Sequence, residues 1–512
     1  MTYSNDKSAK DAPLLSMLLA ISIIVIGPIA LFLIMTQWSD SVARQVVAGA
    51  GIVVILIFSF MREKLYALII GLIFVSQFSI SLHSIQLSEP ALLQIFFIDF
   101  ILILLVWTLI ERGERWRFDK IAIIFSTLIV WQIFSTIYSA HVNQSQLYIL
   151  WQVKYLVVYL VFSNIVLNEK VMHKIFIACI VAVGVQALIA LIQFLHGGVI
   201  GISILGEPSG DSLYFVKNSL RVFGTLGGAN SLAGYLAMLL VFLVPYVILR
   251  KNLLLYSVFG LGSLTLLLSF SRSGWLSLFM GGVIVIYQLI RLKRLKFTRI
   301  ILIGTISSFV FMIMAMVFMD RITDRFEGRQ AKSSAETRIT FAIQAWDVIN
   351  KYPLFGIGPG VSEYFGRWND NSKYLKEALP DVHLENQVHN GHLQIWMESG
   401  TVGFILWMVL VVFIIFESLI KRDNRCNGST LQLMQVGSVA ASLAIMLHVT
   451  FGTEINNYRI MILFWVFLGL SRNLNIESPT IDDNKTAKYK EVQENKVGKK
   501  YESVVYIGRD RN

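Results

Sequence analysis

Apolar residues in this chain collect in long runs that are separated by shorter polar segments. A membrane-spanning helix needs about 20 consecutive apolar residues, and many of the runs approach that length. Fourteen runs are recognised, near 14–36, 45–60, 65–82, 91–110, 121–138, 147–167, 174–195, 230–249, 253–269, 273–290, 300–319, 401–420, 431–450 and 459–471. Because several are short or merge, the pattern predicts an all-α polytopic integral membrane protein with about 12–14 transmembrane helices.

One long polar segment, 320–400, interrupts this alternation and should form a loop bearing short helices. Ser333 to Glu336 reads as a capping box, and the helix it opens should run to about Tyr352 before Pro353. Apolar residues recur on one face of that helix, at Ile339, Ala342, Ile343, Trp346 and Ile349 or Asn350. We expect the helix to lie on the membrane or against the bundle, with Arg338 presented inward.

Charge supports the membrane assignment and orients the chain. Hydrophobic residues make up 55% of the 512 and charged residues only 15%, whereas soluble domains carry about 25% charged residues. The net charge of +11 does not indicate nucleic-acid binding, because Lys and Arg are spread over the loops as orientation signals. The short loops of one side hold 18 Lys and Arg and those of the other side five, so both termini should be cytoplasmic and 320–400 should lie outside.

Arginines remain in the outer loops even though short outer loops avoid them. Arg221 precedes a glycine-containing turn that leads to Asn230, Arg272 lies between serines in a tight hairpin, and Arg338 lies in the long loop. The planar guanidinium fork binds phosphate in a bidentate way and keeps its charge, so these positions suit a lipid-linked diphosphate. The alternative is that each arginine extends to headgroups or pairs with a carboxylate.

Histidines close the long loop. His389 and His392 are three residues apart, at helical spacing; Asn390 lies between them and Glu398 follows. His389 suits general-base or phosphate-binding work, although a structural hydrogen bond is the alternative. Glu398 could orient a histidine, bind an acceptor or cap the helix end.

A metal site is the weaker interpretation of these histidines. His383 or Glu385 could add a third ligand, but H-x-x-H alone is a weak signal and no D-x-D pair occurs. We therefore predict neither a metal nor a cofactor.

Asp99 falls near the middle of the fourth apolar run. An intramembrane carboxylate is either a functional group, such as a proton relay, or a buried group hydrogen-bonded to a neighbouring helix. The sequence leaves both open.

Four motifs together resemble the O-antigen ligase-like membrane proteins, which include O-antigen ligases and O-antigen or exopolysaccharide polymerases. They are R-x-x-G-T with the following Asn230, S-R-S-G-W at 271–275, T-R-I with A-W and P-L-F-G-I-G-P-G, and H-N-x-x-L-Q-x-x-x-E-x-G-x-x-G-F from His389 to Phe404. With this resemblance, the chain divides into N-terminal spans (1–195) and a ligase-like region (196–470). The remaining tail (471–512) is polar with little apolar periodicity, which predicts a disordered cytoplasmic extension.

The resemblance implies a metal-independent glycosyltransferase in the bacterial inner membrane. Its donor would be a glycan on undecaprenyl diphosphate at the outer face, and its acceptor lipid A core or a growing polysaccharide. Arg221 and Arg338 would bind the diphosphate and His389 would be the essential histidine. Arg272, Asn230, Asn390, His392 and Glu398 are the further substrate-binding candidates.

Two questions stay open at this level. A ligase and a polymerase differ in acceptor, and the sequence does not separate them. An exporter or flippase of lipid-linked sugars is the alternative outside the enzyme class, but its charged path through the membrane would rest on Asp99 alone.

Overall fold

A computed structural model describes most of the chain between residues 63 and 473. The described residues are 63–87, 92–113, 116–139, 141–208, 215–216, 219–250, 252–296, 298, 323, 329–362, 388–419 and 429–473. Three of the predicted spans (14–36, 45–60 and 300–319) and nearly all of the predicted tail lie outside them, as do His383 and Glu385.

The described part of the chain is α-helical, with two short hairpins. Its twelve helices are α1 Lys64–Val75, α2 Phe97–Glu111, α3 Lys120–Ile137, α4 Val142–Asn164, α5 Glu169–His196, α6 Ala229–Leu249, α7 Leu253–Leu268, α8 Arg272–Arg291, α9 Arg329–Lys351, α10 Gly391–Leu419, α11 Ser429–Val449 and α12 Tyr458–Arg472. The antiparallel strand pairs are β1 Ser81–Gln86 with β2 Leu92–Phe96, and β3 Phe215–Val216 with β4 Ser219–Leu220.

Seven of the described helices are long and apolar enough to cross a membrane, and they confirm the predicted class. They are α3, α4, α5, α6, α8, α10 and α11. The predicted runs 121–138, 174–195, 230–249 and 273–290 agree with the observed helices within about five residues. The all-α polytopic architecture follows from these spans.

Helix α6 lies at the centre of the bundle and packs against α8 and α11. Its side chains are almost all apolar and buried, which leaves no polar stripe to face water or headgroups. At the other side of the bundle α12 packs along α4, and Trp465 stacks on Phe125 of α3 at 4.1 Å between ring centroids. The last helix thus packs against the predicted N-terminal spans, while the division at residue 195 stays a prediction.

Polar caps set the helix boundaries where the chain leaves the apolar layer. Asp119 accepts a hydrogen bond from the Ala122 N–H at 3.0 Å, and Asn168 accepts one from Val171 at 2.9 Å. Gly197 ends α5 in the left-handed conformation, at φ 76°. Each cap satisfies a terminal backbone group that the helix itself leaves unpaired.

The predicted spans 65–82 and 91–110 are wrong as continuous helices. Helix α1 has 12 residues, which is about 18 Å of rise, and the chain then forms the β1–β2 hairpin before α2 begins at Phe97. The hairpin pairs the backbone groups that a longer helix would have satisfied internally. An apolar run alone does not separate these two solutions.

Because α2 begins late, Asp99 does not lie in the middle of a span. It occupies the first turn of α2, where Oδ2 accepts hydrogen bonds from the Phe96 N–H at 3.0 Å and from Lys154 Nζ at 2.8 Å. The predicted mid-span position is wrong. These partners support the alternative in which Asp99 is hydrogen-bonded to a neighbouring helix, and the side chain is half-buried.

Helix α9 of the long loop also differs from its prediction. It begins at Arg329 rather than after Ser333, so the capping box does not start it, and it ends at Lys351, close to the predicted end. The face that packs on the protein holds Phe341, Ala345 and Val348. Of the predicted apolar stripe, Ile339, Ile343 and Trp346 are each more than half exposed, whereas Ile349 is buried. The exposed part of the stripe faces the exterior, where only the membrane alternative would cover it.

Candidate functional site

Arg221 is fixed against the turn between α7 and α8. Its Nε donates to the Ser269 carbonyl at 3.0 Å, and Nη2 donates to Asn230 Oδ1 at 2.9 Å. Only 9% of the residue is exposed. The guanidinium therefore joins the start of α6 to the turn that precedes Arg272.

The glycine-containing turn after Arg221 is held from beneath by two glutamines of α5. The Gln193 side chain accepts from the Gly224 N–H at 2.8 Å and donates to the Gly224 carbonyl at 3.0 Å. Gln186 donates to Thr225 Oγ1 at 2.6 Å and accepts from the Thr225 N–H at 3.2 Å. The Gly and Thr of the R-x-x-G-T motif are thus hydrogen-bonded to two buried glutamine side chains. These bonds fix the position of the turn that follows Arg221 relative to α5.

Arg272, Arg338 and His389 come together although they lie on three separate segments. Burial and then the Arg272 guanidinium lower the pKa of Arg338, and Glu454 opposes them. Burial and the Arg338 guanidinium lower the pKa of His389, with Glu454 again opposing. Both effects favour the neutral imidazole, and the buried Nδ1 of His389 has no hydrogen-bond partner among the described residues. A neutral imidazole beside the Arg338 cation can accept a proton or a hydrogen bond.

Glu454 supplies the negative charge of this cluster. It lies in the turn between α11 and α12 and is 3% exposed. Burial alone would raise the pKa of Glu454, but His448 and His389 hold it below its usual value.

His448 is the partner that sequence reasoning missed. It is fully buried near the end of α11, with Nε2 3.2 Å from the Asn230 carbonyl and 3.5 Å from Glu454 Oε1. Its only sequence signal is a single ionisable residue inside an apolar run, which marks functional positions in membranes. His448 carries that signal, which would have predicted it as a functional candidate.

Helix α10 is broken at Gly400, nine residues after its start at Gly391. Gly400 adopts φ 65° and ψ −175°, a conformation that favours glycine. The break frees carbonyls, and the P-L-F-G-I-G-P-G segment occupies them: Ile357 N–H donates to Met397 O at 3.1 Å and Gly358 N–H to Glu398 O at 3.0 Å. Irregular backbone at membrane depth needs such partners.

Three other predicted site residues are used in hydrogen bonds within the protein. Asn390 Oδ1 caps α10 through the N–H groups of His392 and Leu393, both at 3.0 Å. Glu398 is 1% exposed and its Oε1 accepts from the Ser362 N–H at 3.2 Å and from Gln394 Nε2 at 3.0 Å. A substrate-binding role for Asn390, His392 and Glu398 stays a prediction.

Apolar helical spans with a half-buried arginine–histidine cluster beside the ends of several helices define a polytopic membrane protein. Residues 257–408 match the family model described as O-Antigen ligase. The match includes Arg272, Arg338 and His389, whereas Arg221, His448 and Glu454 lie outside it. The comparison with curated proteins gave no match.

The family match confirms the resemblance seen in the sequence motifs. It indicates a glycosyltransferase-type enzyme of surface polysaccharide biosynthesis and a multi-pass protein of the bacterial inner membrane. Proteins of this family use, in general terms, a lipid-linked glycan and a polysaccharide or lipid A core acceptor.

Proposed function

We propose that this protein transfers a glycan from undecaprenyl diphosphate to a hydroxyl group, without a metal, at the outer face of the membrane. The observation that carries the proposal is the proximity of Arg272, Arg338 and His389. Two guanidinium groups that repel each other remain together in a half-buried site. Like charges held together destabilise the empty site, and a diphosphate relieves that repulsion.

The transfer is a displacement at the anomeric carbon. The acceptor hydroxyl oxygen attacks that carbon, the bond from carbon to diphosphate oxygen breaks, and the hydroxyl proton passes to neutral His389. The leaving diphosphate gains negative charge, which Arg221, Arg272 and Arg338 stabilise. Fixed cations in a water-poor site stabilise developing charge more strongly than water does.

The same residues suit either acceptor. A ligase would present lipid A core to His389, and a polymerase would present the free end of another lipid-linked repeat. Asn230 contributes by orienting Arg221, through the 2.9 Å hydrogen bond between Asn230 Oδ1 and Nη2.

The test is transfer by the purified protein in liposomes, with a lipid-linked oligosaccharide as donor and product length as the readout. One reaction contains lipid A core and the other contains donor alone. A single addition to lipid A core identifies a ligase, and a growing ladder from donor alone identifies a polymerase. If neither product forms and labelled donor crosses the bilayer, the transferase proposal is wrong and the exporter alternative replaces it.

A further inference from the structure

We propose that Glu454, held in place by His448, is a positioning residue that stabilises His389 after His389 has taken the acceptor's proton. The inference rests on the proposed function and extends it to a residue pair outside the region that matches the family model. Neither residue needs to touch the substrate.

Glu454 is buried with an incomplete set of partners. Oε1 lies 3.5 Å from His448 Nε2, while Oε2 has no hydrogen-bond partner among the described residues. A buried carboxylate is stable only when nearby positive charge compensates it. The groups that face it with positive or ionisable character are His448, His389 and Arg338, with Arg272 beyond Arg338.

His448 ties this carboxylate to the helix that starts at the Arg221 contact. Its Nε2 donates to the Asn230 carbonyl, so Nε2 carries the hydrogen and also points towards Glu454. The ring lies so close to α6 that a Cβ added at Gly234 would be 2.8 Å from Cδ2. Position 234 therefore admits glycine alone without moving the imidazole.

A second anchor fixes the other side of the same turn. Asn456 Oδ1 accepts a hydrogen bond from Gln394 Nε2 at 2.9 Å, and Gln394 also donates to Glu398. Gln394 lies in the first turns of α10, five residues after His389. The turn that carries Glu454 is thus attached to α11 on one side and to the His389 segment on the other.

This attachment places a negative charge where the reaction creates a positive one. When His389 takes the proton, an imidazolium forms beside the Arg338 guanidinium, which repels it. Glu454 acts in the opposite direction and raises the pKa of His389. Arg338 and Glu454 shift the pKa of His389 in opposite directions. Removing each charge should therefore move that pKa in a different direction.

The test compares Glu454→Gln with wild type by two measurements. Transfer is followed against pH, and the titration of His389 is followed by NMR in 15N-histidine-labelled protein in nanodiscs, with His389→Gln assigning the signal. We expect Glu454→Gln to lower kcat by about tenfold or more. The acidic limb of the pH–rate profile and the pH midpoint of the His389 NMR titration should both move down by about half a pH unit or more. Glu454→Asp should restore most of both, and His448→Gln should move both in the same direction as Glu454→Gln.

Glu207→Gln is the matched control, because Glu207 is also a buried carboxylate and accepts hydrogen bonds from Gln193 Nε2 and from the Ile200 and Ile202 N–H groups. It should change stability without moving the His389 titration. A Glu454→Gln protein that transfers at wild-type rate with an unmoved titration overturns this inference and leaves the proposed function standing. Absence of transfer by wild type overturns the proposed function. The NMR titration of His389 in Glu454→Gln still shows whether Glu454 and His389 interact.

Discussion

The indole Nε1–H of Trp407 donates a hydrogen bond to Nδ1 of His392 across 2.9 Å. Nδ1 is therefore an acceptor and the hydrogen lies on Nε2, which faces Thr450 Oγ1 at 3.1 Å. Both nitrogens of His392 are engaged within the protein. The second histidine of the H-N-x-H segment thus joins α10 to the end of α11, whereas Nδ1 of His389 has no hydrogen-bond partner in the described part of the chain.

Replacing Trp407 with Phe should weaken the fold more than the chemistry. The change removes the hydrogen bond and part of a buried ring, so we expect a loss of roughly 1–3 kcal/mol in unfolding free energy. Thermal unfolding in detergent measures this loss. Trp107→Phe is the control, since Trp107 is 67% exposed and should change stability by less than about 0.5 kcal/mol. Loss of transfer in a stably folded Trp407→Phe protein would place His392 in the substrate site instead.

Arg221→Lys should lower transfer although the charge is kept. An ammonium group cannot reproduce the forked contact to Ser269 and Asn230, so the cation moves away from its position against the α7–α8 turn. We expect kcat to fall by roughly 100-fold. Arg250→Lys provides the comparison, because Arg250 makes an exposed 3.0 Å hydrogen bond to Thr430 at the opposite end of α6. Equal transfer rates in Arg221→Lys and Arg250→Lys would contradict a catalytic role for Arg221.

Arg338→Gln should move the acidic limb of the pH profile upward. The Arg338 cation lowers the pKa of His389, so removing it raises that pKa, and His389 then becomes protonated at a higher pH. Activity that needs neutral His389 is lost on that acidic side. Arg338→Lys retains the charge and should leave the limb in place while lowering the rate through loss of the fork. A limb that stays fixed in Arg338→Gln would show that the profile reports a group other than His389.

Gly400→Ala should prevent correct packing of the broken helix. The residue has φ 65°, and an added Cβ would collide with the Leu354 carbonyl, so we expect destabilisation by about 2 kcal/mol or more. Thermal unfolding and the yield of folded protein measure this loss. Gly282→Ala is the matched change in α8, where an added Cβ meets no atom within 4 Å, and it should be neutral or stabilising. Similar stability of the two variants would contradict the role assigned to the break.

Periodicity and length predicted the long helices because spans such as 229–249 need nothing beyond an apolar run of sufficient length. They did not predict the position of Asp99, because the β1–β2 hairpin precedes α2 and the helix begins only at Phe97. Where α2 begins depends on contacts with residues distant in sequence, such as Lys154, which donates to Asp99. The pattern of apolar residues does not indicate such contacts.

The site was partly accessible from sequence for a similar reason. Arg221 and Arg272 stood out because short outer loops avoid arginine, and His389 stood out because it lies at the end of the one long polar segment. His448 did not stand out, because its role comes from contacts with Asn230 and Glu454 that only the packing of α6 on α11 creates. The capping box at Ser333 failed because α9 had already begun at Arg329, and a local motif cannot exclude an earlier start.

Val361 and Val388 lie in one small apolar cluster with Ile357 and Met397. The same cluster contains Ala345 and Val348 of α9. Apolar packing therefore holds the helix that carries Arg338 against the segment that carries His389.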